Sequence, residues 1–536
     1  MPSVIQTEIG LHPFTEKSIN AKTADQIISE MLKTLGIKAK PEVKETDNTD
    51  FLTVNGYVCR FPANMFAEIE AYAGYYGLEK GIKTTDELVW KLFISNILWL
   101  QPHVLFPAKL MIEYLPDINT YPAEKQKEIQ KEFKQIINEL LDLKLSLADS
   151  KRIIEISQKY FNAPSIEWNH LREELIESLS ATEIGIYLNP VYFEEIITAP
   201  SKQNLFEMMR HGMFYETGMK YPHFNIHLDD TLPIHAFYFK INSFTTIPIQ
   251  GIGGNQILVN DTPDRLKLIG ISGTPTLNPA NGNQSSFIAS QDKAKAENNG
   301  LTTWDNLGYF ILAFSGILRK HGYVFVNTTL TTQYIEQLRS TFPKLIELFA
   351  NEKKLPLGVQ TLRLLAREGI SIRNFRVIME AILESDYVVA DALKYIVFDE
   401  RIPLPAKANS GWETNTELVA EFVRTRLKRY ISHKYTKGQS TLMVYLLDPE
   451  IEKIFDSQSD PLQTLESESI SNIHRAVDVE MENLPVSSQQ PVILTTVNVR
   501  PYLKRIIEAK YPQVAVLSYQ ELSPDMNIQP IARISL

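Results

Sequence analysis

The chain has 536 residues, a net charge of −10, 44% hydrophobic and 22% charged residues, a composition that excludes disordered and collagen-like chains and calls for two to four packed units. The acidic balance excludes the basic footprint through which nucleic acid is normally held. A single cysteine, Cys59, excludes an intrachain disulfide or a cysteine-rich zinc site and fits a reducing compartment.

Residues Met1–Glu8 lack the basic start and apolar core of a signal peptide. Ile27, Ile28, Met31, Leu32 and Leu35 recur at helical spacing and Gly36 ends the run, which predicts an amphipathic helix. Residues 51–58 read as a strand, and so does Val58-Cys59-Arg60-Phe61, which makes Cys59 a small buried hydrophobe rather than a nucleophile. Helices are expected around 64–77, 84–100 and 122–142, so the first 180 residues read as mostly helical with a little sheet. The most apolar runs, Val89–Leu100 and Leu307–Leu318, hold about 12 residues each against the roughly 20 needed to span a bilayer.

A helix at 202–217 leads into short alternating runs at 224–228, 236–241 and 257–259, which are small-sheet signals. Gly273–Gly300, rich in Thr, Asn, Gly and Ser, reads as an exposed loop or insertion. Helices dominate from Leu301 to Tyr435. The basic run Arg424–Arg429 lies on an amphipathic pattern and reads as a solvated face. Apolar strands follow at 441–447, 491–496 and 514–519, with a helix at 499–510 between the last two. Residues 455–483 read as a polar connection with some helical spacing. The expected fold class is mixed α/β, of α+β type with several subdomains: a mainly helical domain over 1–180, α+β subdomains over 181–350 with an inserted small sheet, a helical subdomain over 351–440 and an α/β subdomain over 441–536.

Two pairs of segments hint at internal duplication. Leu145–Glu155 can be laid beside Ile370–Glu380, both reading apolar-Ser-apolar, a polar cap and a helix ending in Ile-x-Glu; the helix before Gly36 resembles the one before Gly218. Residues 20–175 are then a degenerate copy of the later architecture, although any short helical hairpin produces such a pattern.

His223, His227 and His235, with Asp229 and Asp230, are the best metal candidates in ligand type. Their shared parity puts them on one face only of an unbroken strand, and Asp229–Pro233 reads as a turn, so a structural or surface role is expected. Gly251–Gln256 is followed by a strand instead of a helix, which argues for a hairpin turn over a phosphate loop. No P-loop, nucleophile elbow or H-E-x-x-H motif occurs. No catalytic residue, cofactor or metal is therefore assigned.

The specific signal lies further along. Leu364–Ile382 carries two helices around Gly369 and Asn374; Leu427–His433, Leu447–Glu452, Pro491–Thr495 leading to Arg500, and Tyr511–Leu522 follow in order. These blocks resemble the FHIPEP family of flagellar, hypersensitive-response and invasion protein export pores, with a weaker match upstream to about residue 180. The resemblance implies an export-gate cytoplasmic fold, ring assembly and docking of secretion substrates or chaperones, with no covalent chemistry and no nucleic acid. It also implies a cytoplasmic location, peripheral at the inner face of the membrane if a separate membrane export component exists. The family's membrane half has no match here; residues 1–180 stand in its place. Its acidic-Pro-x-Phe-Gly-Leu-Pro segment corresponds to Thr274–Pro279, without the acidic and aromatic residues, and its Thr-His-Leu corresponds to Leu312-Ala313-Phe314. By that resemblance Thr274, Leu277, Asp305, Leu312 and Phe314 are the candidate partner-binding residues, with Asp305 a helix N-cap. The alternative is a stand-alone scaffold or adaptor that kept the fold and lost the export role.

Overall fold

The computed structural model describes residues 3–10, 19–47, 51–62, 65–80, 86–163, 165–180, 183–198, 205–349, 354–388, 416–456, 467–482 and 491–536. The chain divides into two compact units, one of residues 1–214 and 220–325, the other of 215–219 and 326–536. None of the described helices is long and apolar enough to cross a membrane.

The first unit opens with a four-stranded sheet in the order β2-β1-β3-β4, formed by β1 (Ser3–Ile9), β2 (Ala39–Glu45), β3 (Leu52–Val54) and β4 (Tyr57–Val58). The apolar run read as a strand over 51–58 is a hairpin, because Asn55 and Gly56 both take positive φ. Helix Ala21–Leu35 crosses from β1 to the parallel β2. An aromatic cluster packs beneath this sheet: Phe51 stacks on Trp90 at 5.2 Å and Phe61 meets Phe93 edge-on at 4.7 Å. Each such burial contributes about 2–3 kcal/mol, and Val89–Leu100 is apolar for this packing. Cys59 is buried just beyond β4, and burial pushes its thiol up to about 12. It is inert.

A second sheet, in the order β6-β5-β7-β8, comprises β5 (Glu183–Leu188), β6 (His223–Leu228), β7 (Ala236–Ile241) and β8 (Phe244–Thr245); β9 (Ile249–Gln250) also pairs with β7. Its pairing follows the first sheet: a parallel outer strand, then two antiparallel steps. A third sheet, β11-β12-β10-β13, is built from β10 (Gln256–Val259), β11 (Thr274–Leu277), β12 (Gln284–Ala289) and β13 (Thr303–Trp304). Residues 273–300 are therefore not an exposed loop. Ile271, Ile288 and Ala296 bury themselves with Ile257 and Val259 in a small core that the polar composition concealed.

The second unit carries helices Lys354–Arg367, Phe375–Val388 and Thr416–Arg426, then a parallel sheet in the order β16-β15-β14-β17. Its strands are β14 (Thr441–Leu447), β15 (Val492–Thr495), β16 (Ala515–Ser518) and β17 (Asn527–Ile534). The expected order of two consecutive helices and a strand–helix–strand sheet is present. The stretch 455–483 contains the end of helix Pro449–Asp456 and helix Ser467–Glu482, whose Ile473 and Val477 join the sheet's core.

One set of helix-end contacts occurs in both units. Helix Ala21–Leu35 ends at Gly36 with φ +71°; Leu147 N–H donates to Leu35 O at 2.7 Å, and Tyr114 Oη to Gly36 O at 2.8 Å. Helix Leu205–Thr217 ends at Gly218 with φ +75°; Ile372 N–H donates to Thr217 O at 2.9 Å, and Tyr334 Oη to Gly218 O at 2.7 Å. A residue at φ +63° or +67°, Lys144 or Gly369, precedes the docked apolar-Ser-apolar segment in each case. The similar segments noted in the sequence are thus the parts that touch.

A Cβ at Gly36 or Gly218 would overlap the backbone of Ala148 or Arg373, whereas one at Gly56, also at positive φ, meets open space. Gly36→Ala and Gly218→Ala are expected to lower stability by at least about 3 kcal/mol, and Gly56→Ala by only about 1 kcal/mol. Thermal and urea unfolding of the three variants check this difference.

Candidate functional site

The third sheet and the helix that follows it carry the candidate partner-binding residues, but Thr274 and Leu277 lie on opposite faces of the sheet. Thr274 and Leu277 lie on β11, paired with Phe287 and Gln284 of β12. The chain then closes tightly: Asn278 accepts from Ala280 N–H through its side chain and from Gly282 N–H through its carbonyl, both within 2.9 Å. This turn carries Pro279 and Ala280 onto helix Asn306–His321 at Gly316, where an added Cβ would sit 2.5 Å from Pro279 O. Backbone meets backbone there, and only glycine permits it.

Tyr309, Leu312 and Gly316 share one helix face by their spacing, and Tyr309 meets Phe287 at 5.8 Å. Leu312 is half-buried, and Leu277 is 38% exposed. By the register Leu277 shares the sheet face of Gln284 and the buried Ile288, whereas Phe287 on the opposite face meets the helix, so hairpin and helix touch at the turn and not through Leu277. Asp305 caps the helix by accepting from Gly308 N–H at 2.8 Å, as its position in the sequence implied. Phe314 lies elsewhere: it is wholly buried, stacked on Phe239 at 4.9 Å and edge-on to Phe224 at 4.8 Å. It supports the sheet core and offers a partner no surface. Gly316 was not singled out in the sequence, although a glycine one turn beyond Leu312 is the available signal.

The histidines do not converge. His227 stacks on Tyr187 at 4.7 Å, whereas His235 sits in a turn at φ +65° with Nε2 3.0 Å from Glu195 Oε1. Among the described residues no three His, Cys, Asp or Glu side chains are grouped to hold a metal. Gly251–Gln256 is not a hairpin turn either. It links β9 and β10, which belong to different sheets, and Gly251 passes under Tyr192 with no room for a side chain.

The strongest electrostatic feature lies in the second unit. Arg424 is 2% exposed and Arg500 1%, so the first residue of the run read as a solvated face is buried; its neighbours Arg426, Lys428 and Arg429 are exposed. Arg500 donates to Glu368 at 2.6 and 3.0 Å and to Glu421 Oε2 at 2.5 Å, with a further bond from Nη2 to Glu421 Oε1. Arg424 donates to Glu368 at 3.0 Å and to Glu521 at 2.6 Å. Glu521 also closes a capping box with Ser518. Two guanidinium groups thus face three carboxylates, with Lys504 beside a cavity of about 40 Å³ that has room for one water. Glu368, Arg500 and Glu521 come from three of the sequence blocks singled out above. The cluster joins three helices to the turn after β16.

Burial opposes ionisation of Glu368, but Arg500 and Arg424 outweigh it and hold the carboxyl at about 2. Burial lifts Glu421 to about 7 against the pull of Arg500, with Glu521 adding to the lift. A raised carboxyl stabilises while protonated, so Glu421's contribution is complete below about pH 4.5 and is lost as pH rises through 7; Glu368's is lost as pH falls below 4.5 towards 2. Urea midpoints of the protein are expected to fall from pH 5 to pH 8, and Glu421→Gln to flatten that fall. Arg500→Met leaves Glu421 without its guanidinium bonds and Arg424 alone facing three carboxylates, and is expected to cost about 3–5 kcal/mol, measured by the same unfolding.

Residues 157–527 match the model of the FHIPEP family. The low calcium response locus protein D of Yersinia pestis is 23% identical over 350 residues, 64% of this chain and 46% of that protein. The flagellar biosynthesis protein FlhA of Bacillus subtilis is 23% identical over 338 residues, 61% of this chain and 46% of its own. The chain thus spans about half the length of these curated relatives. Among solved structures, the Chlamydia pneumoniae CdsV protein is 27% identical with a TM-score of 0.57, covering 67% of this chain and 99% of that one. A nonameric EPEC SctV-C, 16% identical, shares the fold at a TM-score of 0.50 over 66% of this chain and 99% of its own. With a match over more than half its length, this chain belongs to the FHIPEP family.

Proposed function

We propose that this protein is a non-enzymatic docking component of a type III-like secretion apparatus, receiving substrate or chaperone polypeptides at the seam between the β11–β12 hairpin and helix Asn306–His321. The observation that carries this reading is the backbone contact of Pro279 with Gly316, which holds the turn of the hairpin against the helix that bears half-buried Leu312. A surface of partly exposed apolar side chains on a fixed scaffold suits capture of a polypeptide segment. Self-association into a ring belongs to the same proposal; a nonameric assembly and a complex with CdsO are recorded for structurally similar proteins.

Residues 3–161 repeat the scaffold of 183–388. The shared strand order, the twin glycine helix ends and the two tyrosine-to-glycine bonds described above support this reading. The first copy has helix Met65–Lys80 where the second has the β10–β13 sheet, so it carries the frame without the docking insert. A stand-alone adaptor is the second reading, favoured by Thr274 and Leu277 occupying the positions where the family's dimple has its acidic and aromatic residues.

Native mass spectrometry of the full chain with chaperone–substrate complexes from the same genome tests this. Ring-sized assemblies and stable capture are expected, with Leu277→Asp and Leu312→Asp weakening capture about tenfold or more at an unchanged melting temperature. A strict monomer at every concentration that captures none of these complexes contradicts it.

A further inference from the structure

The third sheet is tied to the rest of its unit in few places. Its strands β10, β11, β12 and β13 pair only with one another. Among the described residues no hydrogen bond or ion pair joins residues 256–304 to anything beyond the connections on either side. The sheet leans on helix Asn306–His321 through Phe287 on Tyr309 and Pro279 on Gly316. Such packing contacts carry little direction, whereas hydrogen bonds fix an angle. Directional bonds are found where the chain enters the sheet, at 251–255, and where it leaves, at Asp305 and Asn306.

Helix Pro190–Thr198 reaches both connections. Tyr192 and Glu195, three residues apart, share one of its faces. On the entering side His235 O accepts from Gly251 N–H at 3.1 Å. A Cβ on Gly251 would lie 2.6 Å from Tyr192 Oη, and one on Gly253 2.8 Å from the His235 ring. On the leaving side Tyr192 Oη donates to Asn306 O at 3.0 Å. Glu195 holds the two sides together: Oε1 accepts from His235 Nε2 at 3.0 Å and Oε2 from Asn306 Nδ2 at 3.4 Å. His235 sits at φ +65°, a conformation rare for a residue with a Cβ. Its bond to Glu195 fixes the ring while its carbonyl grips Gly251.

We propose that Glu195 is a positioning residue for the third sheet: its two carboxylate oxygens fix the angle at which that sheet lies along helix Asn306–His321. One side chain from outside the sheet thereby sets the pose of β11, the strand that carries Thr274 and Leu277. The geometry gives the clamp leverage. Gly316 lies ten residues beyond Asn306, about 15 Å along the helix, so a small rotation at Glu195 becomes a displacement at the Pro279 turn. The consequence for partner capture rests on the docking reading above; the pose itself does not.

Double electron–electron resonance on the full chain tests the proposal, with spin labels at Leu268→Cys in the third-sheet segment and Leu228→Cys on β6. Both sites are exposed, and Cys59 is buried. A single narrow distance is expected with Glu195 in place, and a second, displaced population with Glu195→Ala. Asn306→Asp sets two carboxylates against each other and is expected to displace the sheet likewise. Glu195→Gln combined with Asn306→Asp exchanges donor for acceptor and still leaves an acceptor for His235 Nε2. That pair is expected to restore the single distance, which two merely destabilising changes would not do. An unchanged distance in Glu195→Ala, or a swapped pair as displaced as either single variant, would overturn the proposal. Displacement and rescue with undiminished capture of chaperone–substrate complexes would uphold the clamp and count against docking at this sheet, so the two readings fail separately.

Discussion

Two arginines and three glutamates buried together set the terms for the second unit. Arg500 and Arg424 come from different helices, Glu368 follows a third, and Glu521 sits in the turn after β16. Removing such charges from water costs several kcal/mol per ion, and bidentate bonds from Arg500 to both Glu368 and Glu421 offset that cost. A misplaced helix would leave a naked charge in the interior. The cluster therefore specifies one arrangement of helices on sheet more than it adds to stability, and the burial of Glu421 makes that arrangement sensitive to pH near neutrality.

Shape specifies the helix ends of both units. Gly36 lets the end of one helix lie directly on the backbone of Ala148, and Tyr114 pins it there. The same device recurs at Gly218, Arg373 and Tyr334. At the point where Glu368 precedes Gly369, Leu143 precedes Lys144. The first copy thus has no glutamate at this helix end, where Leu143 is 2% exposed.

Much of this was legible in the chain itself. Helical periodicity located the helices, because their buried faces are continuous; the blocks around Glu368, Arg500 and Glu521 carried the family resemblance through residues that converge on one cluster. What stayed hidden has a common cause. Strands β1, β2 and β17 are short of buried side chains on at least one face or carry proline, so alternation is weak. Residues 273–300 bury only a few small apolar groups and look like loop. Arg424 is indistinguishable in sequence from Arg426 and Arg429, since only three-dimensional pairing makes one of them an interior residue. Phe314 was placed in a groove by analogy, but its spacing on the helix turns it into the core.

The functional account rests on the seam where hairpin backbone meets Gly316. Amide exchange of the full chain bound to a secretion chaperone–substrate complex measures it most directly. Slowed exchange confined to residues 274–282 and 309–316 is the predicted result. Tight binding that leaves those two segments exchanging at their free rates would contradict the account.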